Sequence, residues 1–141
     1  MKRISYLIVI PALLLLFGYG IVTGEQKGER KDFVAMVDPD GIQRVVIVGG
    51  GYFYNPNHII VKVNVPVELK VTKEPGVTPH DVVMKSPEAG MDFAEELGTS
   101  PKTIKFTPTK TGKFPLYCSK KVPFLQSHRE KGMEGTVEVV E

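Results

Sequence analysis

The sequence predicts an all-β fold, a β-sandwich with one short helix, and three features of the chain support this prediction. Apolar and polar residues alternate along residues 58–65 and again along residues 67–72, so that each segment presents one apolar face. Residues 45–48 form a short apolar run that ends at three glycines. Half-buried strands produce such patterns when two sheets pack face to face.

Four more strands and the helix are predicted from short segments bounded by turn-forming residues. The strands are expected at residues 80–84, 103–106, 113–118 and 135–140. The helix is expected at residues 92–97, where Asp92 can cap the first turn and Gly98 can end the last one. The glycines at 49–51 are interpreted as a turn or bulge, because no helical pattern comes after them as a phosphate-binding loop would require.

Residues 1–24 differ from the rest of the chain and are predicted to direct it out of the cytoplasm. Lys2 and Arg3 precede a segment, residues 4–22, that contains no charged side chain, as is typical of an export signal. Small residues before Glu25 would allow cleavage there. The alternative is a retained membrane anchor, since a segment of this length nearly matches the ~20 residues that span a bilayer. Both interpretations place the rest of the chain in the periplasm or another extracytoplasmic space.

The remainder of the chain, from residue 25 onward, has the composition of one neutral domain with a short leader. Residues 25–32 are charged and lack apolar periodicity, so they are predicted to form a flexible leader before a single domain at residues 33–141. The chain has 18 basic and 16 acidic side chains, and Lys2 and Arg3 account for the excess. The exported part is therefore neutral. Since nucleic-acid binding requires a basic surface, nucleic acid is not an expected partner.

The single cysteine of the chain, Cys118, belongs to a pattern of metal-binding side chains. Exported proteins usually pair their cysteines in disulfides, so a lone one indicates a buried thiol, an intermolecular link, a nucleophile or a metal ligand. His128 and Met133 come after it, before the last predicted strand, and His80 begins an earlier strand. A thiolate, two imidazoles and a thioether are the ligand set of a type 1 copper site. We therefore predict one copper ion, Cu(I) or Cu(II), bound by His80, Cys118, His128 and Met133.

Three segments, in order along the chain, resemble the cupredoxin family. HREKGMEGTVEV resembles the closing loop and final strand of plastocyanin-like cupredoxins. YFYNPNHIIVKVNVPVELKVT resembles an earlier pair of strands, and PHDVVM resembles the motif of the first histidine ligand. The resemblance covers residues 51–141. It implies a Greek-key β-sandwich and a copper protein that carries single electrons between redox partner proteins rather than an enzyme.

The ligand loop departs from the family pattern and introduces an alternative. Nine residues separate Cys118 from His128, whereas blue-copper proteins usually have only a few there. The length is closer to the binuclear copper loop of oxidase subunits and nitrous oxide reductase, which use a second cysteine that this chain lacks. Nitrosocyanin, a red cupredoxin with a carboxylate ligand, gives the alternative: an open coordination position and redox catalysis on a small molecule. Asp81, Glu130 and Glu134 are the carboxylates that such a site would draw on.

The ligand loop is also the predicted docking surface for redox partners. In residues 119–127, Lys120 and Lys121 precede the apolar stretch 122–125, and positive charge beside a contact surface favours an acidic partner. The alternative is that Phe124 and Leu125 fold over the metal and exclude water.

Several of these residues also have purely structural interpretations. Met133 precedes a final strand, where a methionine is often only a core residue. Cys118 and the two histidines could likewise be buried structural groups. His58 lies outside any ligand motif and is predicted to be a surface or strand residue, and Met84 and Met91 are predicted to be packing or loop residues.

Overall fold

A computed structural model describes residues 29–141, so the predicted signal or anchor at residues 1–24 lies outside the described residues. In this part of the chain the elements are β1 (Asp32–Val34), β2 (Gln43–Gly50), β3 (Phe53–Asn55), β4 (His58–Lys62), β5 (Val67–Lys73), β6 (His80–Ser86), β7 (Met91–Leu97), β8 (Lys102–Phe106), β9 (Gly112–Tyr117) and β10 (Glu134–Val140). A single-turn 3-10 helix, Pro87–Ala89, joins β6 to β7. Among residues 29–141, no helix has the length and apolar character needed to cross a bilayer.

The strands form two sheets. The first has six strands in the order β1-β4-β10-β9-β6-β7, and the second has four in the order β3-β2-β5-β8. β10 pairs antiparallel with β9 and parallel with β4, and β2 pairs parallel with β5. Because these partners are distant in the chain, the connections cross between strands as in a Greek-key sandwich. The predicted all-β sandwich is confirmed.

The apolar faces of the two sheets form the core. Val67, Leu69 and Val71 of β5 are each 1% exposed, as the alternation in residues 67–72 predicts. Ile59 and Val61 of β4 are buried on the facing sheet. Because the residues that face inward on both sheets are apolar, they fill the space between the sheets. The predicted metal ligands lie at one end of the sandwich.

The helix predicted at residues 92–97 is wrong, because this segment belongs to strand β7. β7 pairs antiparallel with β6 along its length, from Ser86 opposite Met91 to His80 opposite Leu97. Met91 and Leu97 are buried and Phe93 is half-buried, so burial alternates with period two. Ladder hydrogen bonds and burial outweigh the helical preference of the Ala-Glu-Glu-Leu sequence.

The N-terminal end of the described chain is held against the first sheet. β1 pairs parallel with β4 from Asp32 onward. The Lys31 amide donates a hydrogen bond to Asn57 Oδ1 at 2.8 Å, and Asn57 Nδ2 donates to the Glu29 carbonyl at 3.1 Å. Ordered contacts therefore begin before residue 33, the predicted start of the domain.

Candidate metal centre

The four predicted ligands come from chain segments that meet at one end of the sandwich. His80 is the first residue of β6, Cys118 directly follows β9, and Met133 directly precedes β10. Tyr117 at the end of β9 lies opposite both Val83 of β6 and Glu134 of β10. The pairing of the central strands therefore brings these segments together.

His80, Cys118 and His128 form a buried cluster of potential ligand atoms. The Nδ1 atoms of the two histidines are 3.1 Å apart, and Cys118 Sγ lies 3.5 Å from His128 Nδ1. One ligand atom from each residue lies within 4.8 Å of the others, and all three residues are buried. Protein metal–nitrogen and metal–sulfur bonds are about 2.0–2.3 Å long, so atoms at these separations can share one ion. Their donor set, one thiol and two imidazoles, suits copper or zinc.

Met133 lies beside this cluster and is fully buried. Its carbonyl accepts a hydrogen bond from the Cys118 amide at 3.0 Å, and its own amide donates to the His128 carbonyl at 2.9 Å. A side chain at Gly49 would begin 3.2 Å from the Met133 methyl group and 2.7 Å from Leu97. Gly49 therefore makes room for the thioether. Coordination by Met133 stays a prediction.

Burial shifts the protonation of the three clustered residues. It lowers the pKa of His80, with repulsion from His128 adding to the effect, and it lowers the pKa of His128, to which the Lys131 charge contributes. Burial raises the pKa of the Cys118 thiol. Near neutral pH the imidazoles are therefore neutral and able to donate lone pairs, whereas the thiol keeps its proton until a metal displaces it.

Asp81, the residue after His80, accepts hydrogen bonds that hold the ligand-bearing segments together. The sequence pattern did not indicate this role. Its Oδ1 accepts a hydrogen bond from the Ser119 amide at 2.7 Å, and its Oδ2 accepts one from Ser119 Oγ at 2.5 Å. Burial acts to raise the pKa of Asp81, but the hydrogen bonds from Ser119 outweigh it and leave that pKa below its ordinary value. The Asp81 carbonyl also accepts from the Tyr54 hydroxyl at 2.6 Å. These bonds tie the residue after His80 to the residue after Cys118.

The three carboxylates that a red copper site would draw on are engaged elsewhere. Asp81 is bonded to Ser119, and Glu130 Oε2 accepts from the Ser127 amide at 2.6 Å and from its hydroxyl at 2.7 Å. Glu134 forms an ion pair with Arg129 at 2.9 Å. In the described chain, the cluster of potential ligands contains no carboxylate.

Tyr52 is a second residue at the site that the sequence pattern did not identify. Its ring meets the His128 ring edge-on, with centroids 4.9 Å apart, and the His80 ring at 6.0 Å. Lys131 Nζ lies 4.3 Å from the centre of the Tyr52 ring. The only available signal was an aromatic residue directly after three glycines, which is too common to identify a role.

The ligand loop projects its apolar side chains into solvent. Phe124 is 104% exposed, and Leu125 and Val122 are 58% and 52% exposed. The alternative in which Phe124 and Leu125 cover the metal is therefore wrong. Lys120 forms an ion pair with Glu96 and lies 3.7 Å from Asp81 Oδ2. Lys121 is exposed.

His58 does not join the cluster. It lies at the start of β4, as predicted for a strand residue, but it is buried rather than on the surface. Its ring nitrogens face Asp32 at 2.8 Å and Glu138 at 2.9 Å. Met84 and Met91 are fully buried, which confirms them as packing residues.

The two-sheet Greek-key sandwich, with a buried His-Cys-His cluster at one end, agrees with the predicted cupredoxin fold, and several solved structures are similar to it. No protein-family model matches the sequence, and no curated protein matches it either. The metal-binding domain of the Cu(I)-exporting P-type ATPase CopA from Streptococcus pneumoniae D39, solved with Cu(I), superposes with a TM-score of 0.61. The two sequences are 23% identical over 81% of this chain and 100% of that one.

Two further structures are similar in fold. Dithionite-reduced auracyanin from Roseiflexus castenholzii has a TM-score of 0.56 and 17% identity, over 70% of this chain and 97% of its own. The periplasmic domain of cytochrome oxidase subunit II from Bradyrhizobium japonicum has a TM-score of 0.53 and 18% identity, over 70% of this chain and 83% of its own. The chain therefore has the cupredoxin fold, which confirms the predicted resemblance at that level.

Proposed function

We propose that this chain is an exported mononuclear copper protein that carries single electrons between redox partners. His80, Cys118 and His128 would hold the metal, and Met133 would be a fourth, weaker ligand. The observation that carries the proposal is the buried cluster whose three ligand atoms lie within 4.8 Å of one another. Thiolate and thioether favour Cu(I), and imidazole suits both oxidation states, so this set supports a metal that cycles between them.

The protein's contribution to electron transfer is a site that changes little when the charge of the metal changes. The metal, when bound, supplies the one-electron chemistry. The ligand turn is fixed by backbone bonds from Cys118 to Met133, from Met133 to His128 and from His128 to Lys120, at 2.9–3.0 Å. The Asp81–Ser119 bonds hold the two ligand-bearing strands together. Rigid ligands lower the reorganisation that each electron transfer requires.

The comparisons and the N-terminal segment support an extracytoplasmic location. One similar structure is the periplasmic domain of an oxidase subunit. The uncharged residues 4–22 fit either a cleaved signal or an anchor. In this proposal the domain acts in the periplasm or an equivalent space, and any contact with the membrane is made through the N-terminal segment.

The exposed apolar loop is the proposed docking surface for redox partner proteins. Val122, Phe124 and Leu125 are exposed on the loop that leads into His128. Because Lys120 is paired with Glu96, the exposed Lys121 is the residue that attracts an acidic partner. A partner that covers this loop would approach the metal centre at the His128 side.

Copper carriage is a second candidate, favoured by one comparison. The similar domain of CopA was solved with Cu(I) and belongs to a Cu(I)-exporting ATPase. A carrier of copper must release the metal, whereas a carrier of electrons must keep it. The red-copper enzyme has less support, because Asp81, Glu130 and Glu134 all have other partners.

One experiment separates these functions. The copper-loaded protein is reduced and reoxidised repeatedly at an electrode in the presence of bicinchoninate, a Cu(I) chelator. We expect reversible one-electron cycles in which the copper stays bound, because its transfer to the chelator is much slower than a single cycle. Loss of copper on each reduction would support copper carriage instead. A visible spectrum that changes on addition of nitric oxide or azide would indicate an open coordination position and support the red-copper enzyme.

A further inference from the structure

We propose that Tyr52 is a cover of the metal centre and controls how fast copper leaves it. This inference rests on the proposed copper binding, and it adds a residue outside the ligand set. Tyr52 lies in the turn between β2 and β3, far in sequence from Cys118 and His128.

Tyr52 contacts both candidate imidazole ligands at once. Its ring stands nearly perpendicular to the His128 ring, at 78° and 4.9 Å, and to the His80 ring, at 88° and 6.0 Å. Edge-to-face contacts of this kind are the favourable arrangement for aromatic rings. One side chain therefore bridges the ligand from β6 and the ligand from the loop before β10, and it restrains both rings.

The backbone at Tyr52 adopts a conformation that a bulky residue rarely takes. Its φ is +64°, after Gly51 at +50°. A left-handed conformation is unfavourable for a side chain of this size, and such residues concentrate at functional sites. Despite this unfavourable backbone conformation, the turn places the Tyr52 ring against the two histidines.

Lys131 contacts the Tyr52 ring and helps to hold it in place. Its ammonium lies 4.3 Å from the centre of the Tyr52 ring and 3.3 Å from the Tyr52 hydroxyl. Lys131 belongs to the turn that carries His128, since its amide donates to the Ser127 carbonyl at 3.1 Å. The cation–π contact therefore connects the β2–β3 turn with the turn that carries the ligand.

A cavity on this side of the site indicates the exit route. Tyr52 and His80 border a cavity of about 170 Å³, together with Gly50 and Gly51. Of the four candidate ligands in the described chain, His80 alone lines it. All four candidate ligands, His80 included, are 4% exposed or less, so what distinguishes His80 is its place in the cavity wall. A metal ion or a chelator that uses this cavity meets the Tyr52 ring before it reaches His128, so removal of the ring opens the path.

The test measures transfer of Cu(I) from the loaded full-length protein to excess bicinchoninate. In this transfer two chelator molecules take up the Cu(I) ion, and the Cys118 thiolate takes a proton from solvent. Tyr52→Ala removes two aromatic contacts and one cation–π contact, so we expect transfer to become about tenfold faster. Tyr52→Phe keeps the ring and should stay close to the unaltered protein. Lys131→Gln frees the ring and should give an intermediate rate.

Phe53→Ala is the matched control, because Phe53 is the exposed aromatic residue directly after Tyr52, at the start of β3. The Cu(II) spectrum of each variant is recorded first, and an unchanged thiolate band shows that the ligands are intact. Equal rates for Tyr52→Ala and the unaltered protein would overturn the inference, and so would equal acceleration by Phe53→Ala. If Tyr52→Ala does not fold, an unchanged rate for Lys131→Gln overturns it instead. Absence of a thiolate band in the unaltered protein would contradict the proposed copper site itself.

Discussion

The Nδ1 atoms of His80 and His128 face each other at 3.1 Å, although the residues are 48 positions apart in the chain. A neutral imidazole has one nitrogen that donates and one that accepts. Two facing Nδ1 atoms can share one proton between them or direct both lone pairs at a common metal ion. Cys118 Sγ lies 3.5 Å from His128 Nδ1, so one metal ion could accept a lone pair from each of the three residues.

The metal-free protein should become more stable as pH rises through the acid range. His80 and His128 have folded-state pKa values below the ordinary 6.5, so the unfolded chain binds more protons in that interval. The free energy of unfolding therefore rises with pH up to about 6.5 and then levels off. Urea unfolding over a pH series, kept above the range in which carboxyl groups titrate, measures this slope. His80→Gln combined with His128→Gln should flatten it, and an equal slope in that variant would contradict the assignment.

Met133→Leu should alter the copper centre and leave the fold intact. Leucine nearly conserves the buried volume, so stability should fall by less than about 1.5 kcal/mol. If Met133 binds the copper, loss of its thioether should raise the reduction potential, because the sulfur would donate electron density that stabilises Cu(II). Voltammetry and EPR measure both effects.

The control for Met133 is Met91→Leu, since Met91 is also a fully buried methionine. It should leave the potential unchanged. The same potential in both variants would mean that Met133 is a core residue and not a ligand.

Asp81→Ala should destabilise the fold and disturb the copper spectrum. It leaves the Ser119 amide and hydroxyl without the acceptors that lie 2.7 and 2.5 Å away, which costs about 1–3 kcal/mol. Asp81→Asn keeps one acceptor oxygen and should lose less. Urea unfolding and the Cu(II) visible spectrum report the two effects.

Asp92→Ala gives a matched control for Asp81. Asp92 forms a surface ion pair with Lys85 at 2.8 Å, with both side chains about half exposed, and such pairs contribute about 0–1 kcal/mol. If Asp81→Ala costs no more than Asp92→Ala, the buried Asp81–Ser119 bonds do not support the metal centre.

Lys121→Glu should slow electron exchange with hexacyanoferrate, an anionic probe, at low salt. Lys121 is exposed on the ligand loop, whereas Lys120 is already paired, so Lys121 supplies the free charge near the proposed docking surface. Stopped-flow mixing at increasing ionic strength measures the rate. Lys110→Glu is the control. Lys110 lies just before the start of β9, whereas Cys118 directly follows the end of that strand, so Lys110 is at the far end of β9 from the metal centre. Equal slowing by both variants would contradict local steering.

The sequence predicted correctly those features that a single local pattern determines. Alternation in residues 58–65 and 67–72 identified two core strands, and the motifs around His80, Cys118 and His128 identified the three residues that the fold brings together. The helix predicted at residues 92–97 is wrong because local composition favours a helix there, whereas pairing with β6 is a long-range contact that composition does not report.

The supporting residues were harder to predict than the ligands. Asp81 had a weak signal, since it is a charged residue that opens an otherwise apolar strand directly after His80. Tyr52 had almost none, because its role depends on a left-handed turn that aims its ring at residues distant in the chain. The exposure of Phe124 and Leu125 was also undecidable, since an apolar loop can equally fold inward or project outward.

The most direct test of the copper site is titration of the purified protein with Cu(II), monitored by visible and EPR spectroscopy. We predict saturation at one equivalent, with an intense blue thiolate-to-copper band and narrow copper hyperfine splitting. The band should be absent in Cys118→Ser. A titration of the unaltered protein that produces no thiolate band would contradict the central claim that Cys118 binds copper.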